Sequence, residues 1–256
     1  MQQQFFEFVK AGLWEQDVEL RHYGATDYSE IMRMAEEQSV VGLVATGLEH
    51  VKDVKLPQEI ALQFIGKTLQ VEQRNEEMNA FVARLIDRLR TQGIYTLLVK
   101  GQGIAQCYEK PLWRSSGDVD LFLSDDNYKK AAESLKAFAA SVDEENAYNY
   151  HLAMTIDGWS VELHGTLRSG LWRSLDRELD RVQDEVFCGG KVRSWMNGQT
   201  QVFLPAADED VVFVFSHILQ HFYKEGIGLR QICDWCRLLY CYREKLDLRL
   251  LESRIR

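Results

Sequence analysis

The chain has 256 residues, a formal net charge of −9 and a pI near 5.3, and 46% of its residues are hydrophobic. That length allows one large or two small domains with a substantial core, and the acidic balance argues against nucleic acid as a partner, because phosphate backbones recruit clustered Lys and Arg. No stretch approaches the roughly 20 apolar residues of a membrane span, Met1 to Glu7 lack the regions of a secretory signal, and five cysteines show no small-scaffold spacing, so the expectation is a cytoplasmic, disulfide-free protein.

The first region, residues 1–92, reads as helical. Apolar residues recur at helical spacing through Ile31, Met34 and Ala35, then Val41 and Val44, ahead of a break expected at Gly47. Pro57 suits the first turn of a long helix carrying Ile60, Phe64, Val71, Met78, Phe81, Val82, Leu85, Ile86 and Leu89, ended by Gly93. This stripe reads as core; a coiled-coil or partner-binding surface is the alternative, against which the spacing drifts off a strict heptad between Thr68 and Met78.

A mixed unit is expected over residues 93–205. Ile94 to Val99 reads as a buried strand ending in Lys100-Gly101-Gln102-Gly103, before a short helical pattern from Ile104 to Tyr108. A strand, a glycine turn and a helix start can present backbone N–H groups to a phosphate, with Lys100 as a point charge and Arg114 as a fork of donors. Ordinary tight turning by the glycines and a solvated loop arginine are the plainer readings.

The most informative stretch is Gly117 to Leu123. On a strand, alternate side chains share a face, so Asp118 and Asp120 point together while Val119, Leu121 and Leu123 face the core. Two like charges this close are unfavourable without a cation or shared proton between them. All-oxygen ligation suits Mg2+ or Mn2+; two water-exposed strand-edge aspartates are the alternative. Next come a helix from Asp126 through Leu135 and Phe138, then two strands, His151 to Ile156 and Trp159 to His164, joined by the hairpin dipeptide Asp157-Gly158. On the second of these strands, Glu162 and His164 share one face and Val161 and Leu163 the other. Val182 to Cys188, the turn Gly189-Gly190 and Gln201 to Leu204 offer further strands before Pro205.

The last region, residues 206–256, reads as helical. Asp208 is the expected N-cap of a helix from Glu209 to Phe222, followed by a glycine-rich loop and a helix from Leu229 to Tyr242. Leu246 to Arg256 looks helical and stops without a cap, as expected of a truncated chain. His217, His221, Cys233 and Cys236 sketch a zinc site, against which stands burial in dense apolar helices; one or both histidines facing a nucleotide pocket is a third reading. Trp113 and Trp159 could stack a base or simply pack.

Lys100-Gly101, the run from Pro111 to Leu121 and Val161-Glu162-Leu163-His164 resemble the uncharacterised nucleotidyltransferase family of bacteria, within the polymerase-β-type superfamily. Gly226 to Asp234 is similar to the helical C-terminal part of that family. The resemblance implies an α+β fold, a nucleotidyltransferase-like mixed sheet flanked by N-terminal and C-terminal helical regions. It also implies two divalent ions, Mg2+ or Mn2+, held by Asp118 and Asp120 with Glu162 as the third carboxylate. Lys100, Gly101, Gly103, Arg114 and Ser116 become the triphosphate contacts, with His164 as a neighbour. The implied reaction moves a nucleoside monophosphate from a nucleoside triphosphate, ATP among them, to a hydroxyl of a small molecule or protein and releases pyrophosphate. Three departures are visible: Lys100-Gly101 stands where the superfamily usually has glycine-serine, the loop from Gln106 to Gly117 is longer than in the small antibiotic-modifying members, and the third acid is glutamate rather than aspartate.

Two other enzyme classes use D-x-D. A phosphatase of the haloacid-dehalogenase type places its nucleophile at the end of a strand, whereas Asp118 stands at the start of one, and a sugar-nucleotide transferase needs a preceding nucleotide-binding α/β unit. From a different class, the chain could be a catalytically silent nucleotide- or partner-binding module, such as half of a toxin and antitoxin pair.

Overall fold

In the computed structural model, residues 2–146, 150–224 and 226–255 are described. The chain divides into two compact units, one of residues 1–77, 105–116 and 228–237, the other of residues 78–104, 117–227 and 238–256.

The first unit is helical. It contains α1 (Gln2–Trp14), α2 (Tyr28–Glu37) and α3 (Val41–Glu49). Asp27 caps α2 by accepting a hydrogen bond from the Glu30 N–H at 3.1 Å. Phe5, Phe8, Ile31, Ala35, Val44, Leu48 and Phe64 build its core. The break expected at Gly47 does not occur. Gly47 lies within α3, where a Cβ would stand 2.0 Å from the Phe8 carbonyl oxygen. The missing side chain therefore lets the backbones of α1 and α3 touch rather than ending the helix.

α4 (Gln58–Thr91) follows Pro57 and stops before Gly93, whose φ is +72°. Its stripe from Met78 to Leu89 is core, as read, and belongs to the second unit. The second unit also holds a seven-stranded mixed sheet, ordered β3-β4-β5-β2-β1-β7-β6 among the described residues. These strands are β1 (Leu97–Val99), β2 (Asp118–Phe122), β3 (Ser141–Val142), β4 (His151–Ile156), β5 (Trp159–His164), β6 (Val192–Asn197) and β7 (Thr200–Pro205). β1 with β7 and β2 with β5 run parallel; the other pairs are antiparallel.

Helices cover both faces of this sheet. On one, Leu98, Val119, Leu121, Val161 and Leu163 meet α4 and α6 (Asp125–Lys136). On the other, Leu97, Val99 and Phe122 meet Leu179 and Val182 of α7 (Arg173–Phe187) and Val212 and Phe213 of α8 (Ala207–Lys224). Covering both faces explains why β1 is wholly apolar and why β2 is apolar apart from its two aspartates. The remaining α-helices among the described residues are α5 (Gly101–Ala105), α9 (Leu229–Tyr242) and α10 (Leu248–Ile255).

Several expectations are corrected. β1 is shorter than Ile94 to Val99, because the Ile94 N–H bonds the Leu89 carbonyl at the end of α4 and leaves the ladder. The strand expected over Val182 to Cys188 is the last part of α7, in which Leu175, Leu179, Val182 and Val186 recur at helical spacing. Phe138 lies beyond the end of α6. Asp208 sits inside α8 rather than capping it, and its Oδ1 accepts from the Asp247 N–H at 2.8 Å. Among the described residues, no helix is long and apolar enough to cross a membrane.

Candidate active site

Parallel pairing of β2 with β5 sets Asp120 opposite Glu162. Because side chains alternate along each strand, Asp118, Asp120 and Glu162 emerge on one face. Their carboxylate oxygens lie within 4.8 Å of one another. Asp120 is only 1% exposed, while Asp118 and Glu162 are half-buried at the surface of a cleft.

Antiparallel pairing of β1 with β2 sets Val99 opposite Asp120, so Lys100 leaves the sheet beside the acids. Its φ is +57° and that of Gly101 is +36°. A left-handed lysine costs about 1 kcal/mol, and here the turn aims the ammonium back at β2. Lys100 Nζ lies 2.6 Å from Asp120 Oδ1 and donates to His217 Nε2 at 3.0 Å. His164 Nε2 donates to Asp120 Oδ1 at 2.9 Å, and His151 Nε2 donates to Glu162 Oε2 at 3.1 Å.

These contacts set the charges. Burial opposes ionisation of Asp120, but the Lys100 ammonium and His164 outweigh it and hold the carboxyl well below its usual range. Glu162 is lowered by its hydrogen bond from His151, against partial burial. Burial disfavours the Lys100 ammonium, yet Asp120, Glu162 and Asp118 together raise its pKa. His164 is lowered, chiefly by burial, although Asp120 and Glu162 pull the other way. Burial, aided by Lys100, brings His217 down to about 2.

The cleft has a volume of about 420 Å³. Lys100, Asp118, Glu162 and His164 line it together with residues the sequence reading did not single out: His151, Arg168, Gln220 and Lys224. His151 was legible in principle, since the hairpin turn sets it opposite His164. Arg168 follows the end of β5 in irregular chain and Lys224 closes α8, positions without a periodic signal.

The other expected site residues have different surroundings. Gly103 faces β7, where a Cβ would stand 2.6 Å from Leu204 Cδ2. Arg114 and Ser116 belong to the first unit. There the buried Arg114 guanidinium forks onto Asp234, with Nε to Oδ1 at 2.8 Å and Nη2 to Oδ2 at 2.6 Å, and its Nη1 donates to Ser116 Oγ at 2.8 Å. Tyr108 also donates to Asp234 at 2.8 Å. Trp113 donates to Glu72 at 2.8 Å and Trp159 stacks on Phe81, so both pack within their own units.

Among the described residues, the groups of three or more metal-capable side chains are Asp118, Asp120 and Glu162, and His151, Glu162 and His164. Neither contains a cysteine. Cys233 belongs to the first unit's core and burial pushes its thiol up to about 12, a setting for packing rather than zinc.

Fold and site together define an α+β protein with clustered carboxylates at a cleft that Lys100, Arg168 and Lys224 also line. Residues 24–256 match the family described as uncharacterised nucleotidyltransferase, and the chain belongs to that family. The crystal structure of an antigenic nucleotidyltransferase-like protein from Paracoccidioides brasiliensis is similar, at 13% identity and a TM-score of 0.43, over 70% of this chain and 85% of that one. No curated protein matches the chain.

Proposed function

We propose that the protein transfers a nucleoside monophosphate from a nucleoside triphosphate to a hydroxyl of a small molecule or protein, releasing pyrophosphate. Family membership supports the reaction class. The observation that carries the reading is the convergence of Asp118, Asp120 and Glu162 within 4.8 Å at a cleft that Lys100, Arg168 and Lys224 also line.

The donor set fits a hard divalent ion such as Mg2+ or Mn2+: three carboxylates, an all-oxygen set, within 4.8 Å of one another. Asp118, Asp120 and Glu162 would hold it. Such an ion, when bound, neutralises phosphate charge and aligns the entering and leaving oxygens. Lys100 and Lys224 supply positive charge for the phosphate oxygens, so their work is positioning and neutralisation, while Arg168, which also lines the cleft, is forked onto Asp180. Glu162, the more exposed of the two paired acids, can accept the proton of the acceptor hydroxyl. The reading rests on the second unit alone and does not require Arg114 or Ser116. An overall charge of −9 favours a small-molecule or protein acceptor over nucleic acid.

The test is incubation of the purified protein with each labelled triphosphate and Mg2+ or Mn2+. Pyrophosphate that forms with wild type and not with Asp118→Asn or Asp120→Asn supports transfer. Tight nucleotide binding with no turnover would make the protein a binding module. Inorganic phosphate released from simple esters would point to a phosphatase.

A further inference from the structure

The hairpin of β4 and β5 carries a second group of ligands, in which two imidazoles that all-oxygen chemistry does not use stand beside Glu162. His151 and His164 are direct cross-strand neighbours, with ring centroids 4.9 Å apart. Between them on the same face stands Glu162. His151 Nε2 is 3.1 Å and His164 Nε2 3.6 Å from Glu162 Oε2, and the three ligand atoms lie within 4.8 Å of one another. Ligands adjacent in the shell of one ion, each about 2.1 Å from it, are spaced about 3.0 to 3.4 Å apart. The two separations to Glu162 are close to that spacing, so an ion could take the place of the hydrogen bond from His151 with a small approach of the imidazoles.

The local sequence holds this spacing in place. Leu152, Met154, Val161 and Leu163 anchor the opposite faces of the two strands in the core. Asp157 and Gly158, at φ of +51° and +81°, form the tight turn that fixes their register. Opposite Glu162 on β4 is Ala153, whose methyl group leaves room for both imidazoles. All three ligands line the cleft.

We propose that His151, Glu162 and His164 form a binding site for a first-row transition-metal dication, of the Co2+ and Zn2+ type, beside the all-carboxylate group. Two imidazoles and a carboxylate favour such ions over Mg2+, which prefers oxygen and gives up its water reluctantly. Glu162 belongs to both groups, and its two oxygens allow it to serve both. The site goes beyond nucleotidyl transfer and needs no nucleotide to load.

The test uses Co2+ on chelator-treated, full-length protein, followed by visible absorption and by proton NMR for hyperfine-shifted, exchangeable imidazole resonances. The expected result is both signals at one equivalent of Co2+, displaced by Zn2+ and retained in excess Mg2+. His151→Ala should weaken Co2+ binding by about a hundredfold or more and remove one shifted resonance, whereas Asp118→Asn should keep both. Co2+ binding without imidazole resonances, unchanged binding in His151→Ala, or displacement by equimolar Mg2+ would overturn the proposal. Thermal unfolding of His151→Ala, whose wild-type side chain is 35% exposed, checks that the fold survives. Absence of pyrophosphate release would count against nucleotidyl transfer and leave the Co2+ signature untouched.

Discussion

Lys100 and Asp120 form an ion pair at 2.6 Å in which the lysine is held in a left-handed backbone conformation. Charge and backbone can be separated by two substitutions. Lys100→Ala removes the ammonium and leaves a strained alanine; Lys100→Gly removes the same charge and relieves the strain. Both should be destabilised by about 3 kcal/mol for exposing a buried carboxylate to an incomplete partner set, with the glycine variant recovering about 1 kcal/mol. Urea unfolding measures both, and equal midpoints for the two variants would show that residue 100 carries no strain.

Asp118 and Asp120 should separate in stability while behaving alike in pyrophosphate release. Asp120 is buried against Lys100 and His164, so Asp120→Asn strands a buried ammonium and should cost about 3 kcal/mol. Asp118 is half-buried at the cleft, so Asp118→Asn should fall within about 0.5 kcal/mol of wild type. Calorimetry that finds the two equally stable would contradict the burial difference.

His217 gives the protein an acid-side sensitivity. Its folded-state pKa is about 2, below the roughly 6.5 of an unfolded histidine. Below pH 6.5 the unfolded chain takes up a proton that the folded chain refuses, so this contribution to stability is complete above that pH and is lost progressively as pH falls toward the folded value. His217→Gln should therefore lose less stability than wild type between pH 7 and pH 5. Parallel slopes of unfolding free energy against pH in the two proteins would refute it.

Two helix glycines should respond in opposite directions to alanine. At Gly47 a Cβ would meet the Phe8 carbonyl oxygen at 2.0 Å, so Gly47→Ala must push α1 away and should cost about 3 kcal/mol. At Gly66, within α4, a Cβ meets nothing within 4 Å, so Gly66→Ala should add about 0.5 to 1 kcal/mol. Thermal melts of both variants check the contrast.

The elements legible in the sequence are those whose signal is local. β4 and β5 appear at the expected residues because Asp157-Gly158 marks the turn and the alternation of Val161 and Leu163 with Glu162 and His164 marks the faces. The face shared by Asp118 and Asp120 follows from strand geometry alone. The pairing of β2 with β5 was not legible, since it joins segments about forty residues apart and no local preference selects it. α7 escaped because only its last turns were read, so Val182 and Val186 were seen without Leu175 and Leu179. β6 was missed although Asn197-Gly198 closes its hairpin, because its exposed Val192 and Met196 give it no apolar face to detect.

The register of β2 against β5 has a consequence for how the site tolerates change. A slip of one residue along β5 would swing Val161 and Leu163, both completely buried, onto the cleft face and carry Glu162 into the apolar core. Each displaced aliphatic side chain forfeits about 1.5 to 3 kcal/mol, before the cost of an acid in the interior. The distance between the acids is therefore policed by oil-like neighbours on the opposite face of the sheet, so substitutions at Val161 or Leu163 that loosen the sheet should disturb the spacing of the acids and fold stability together.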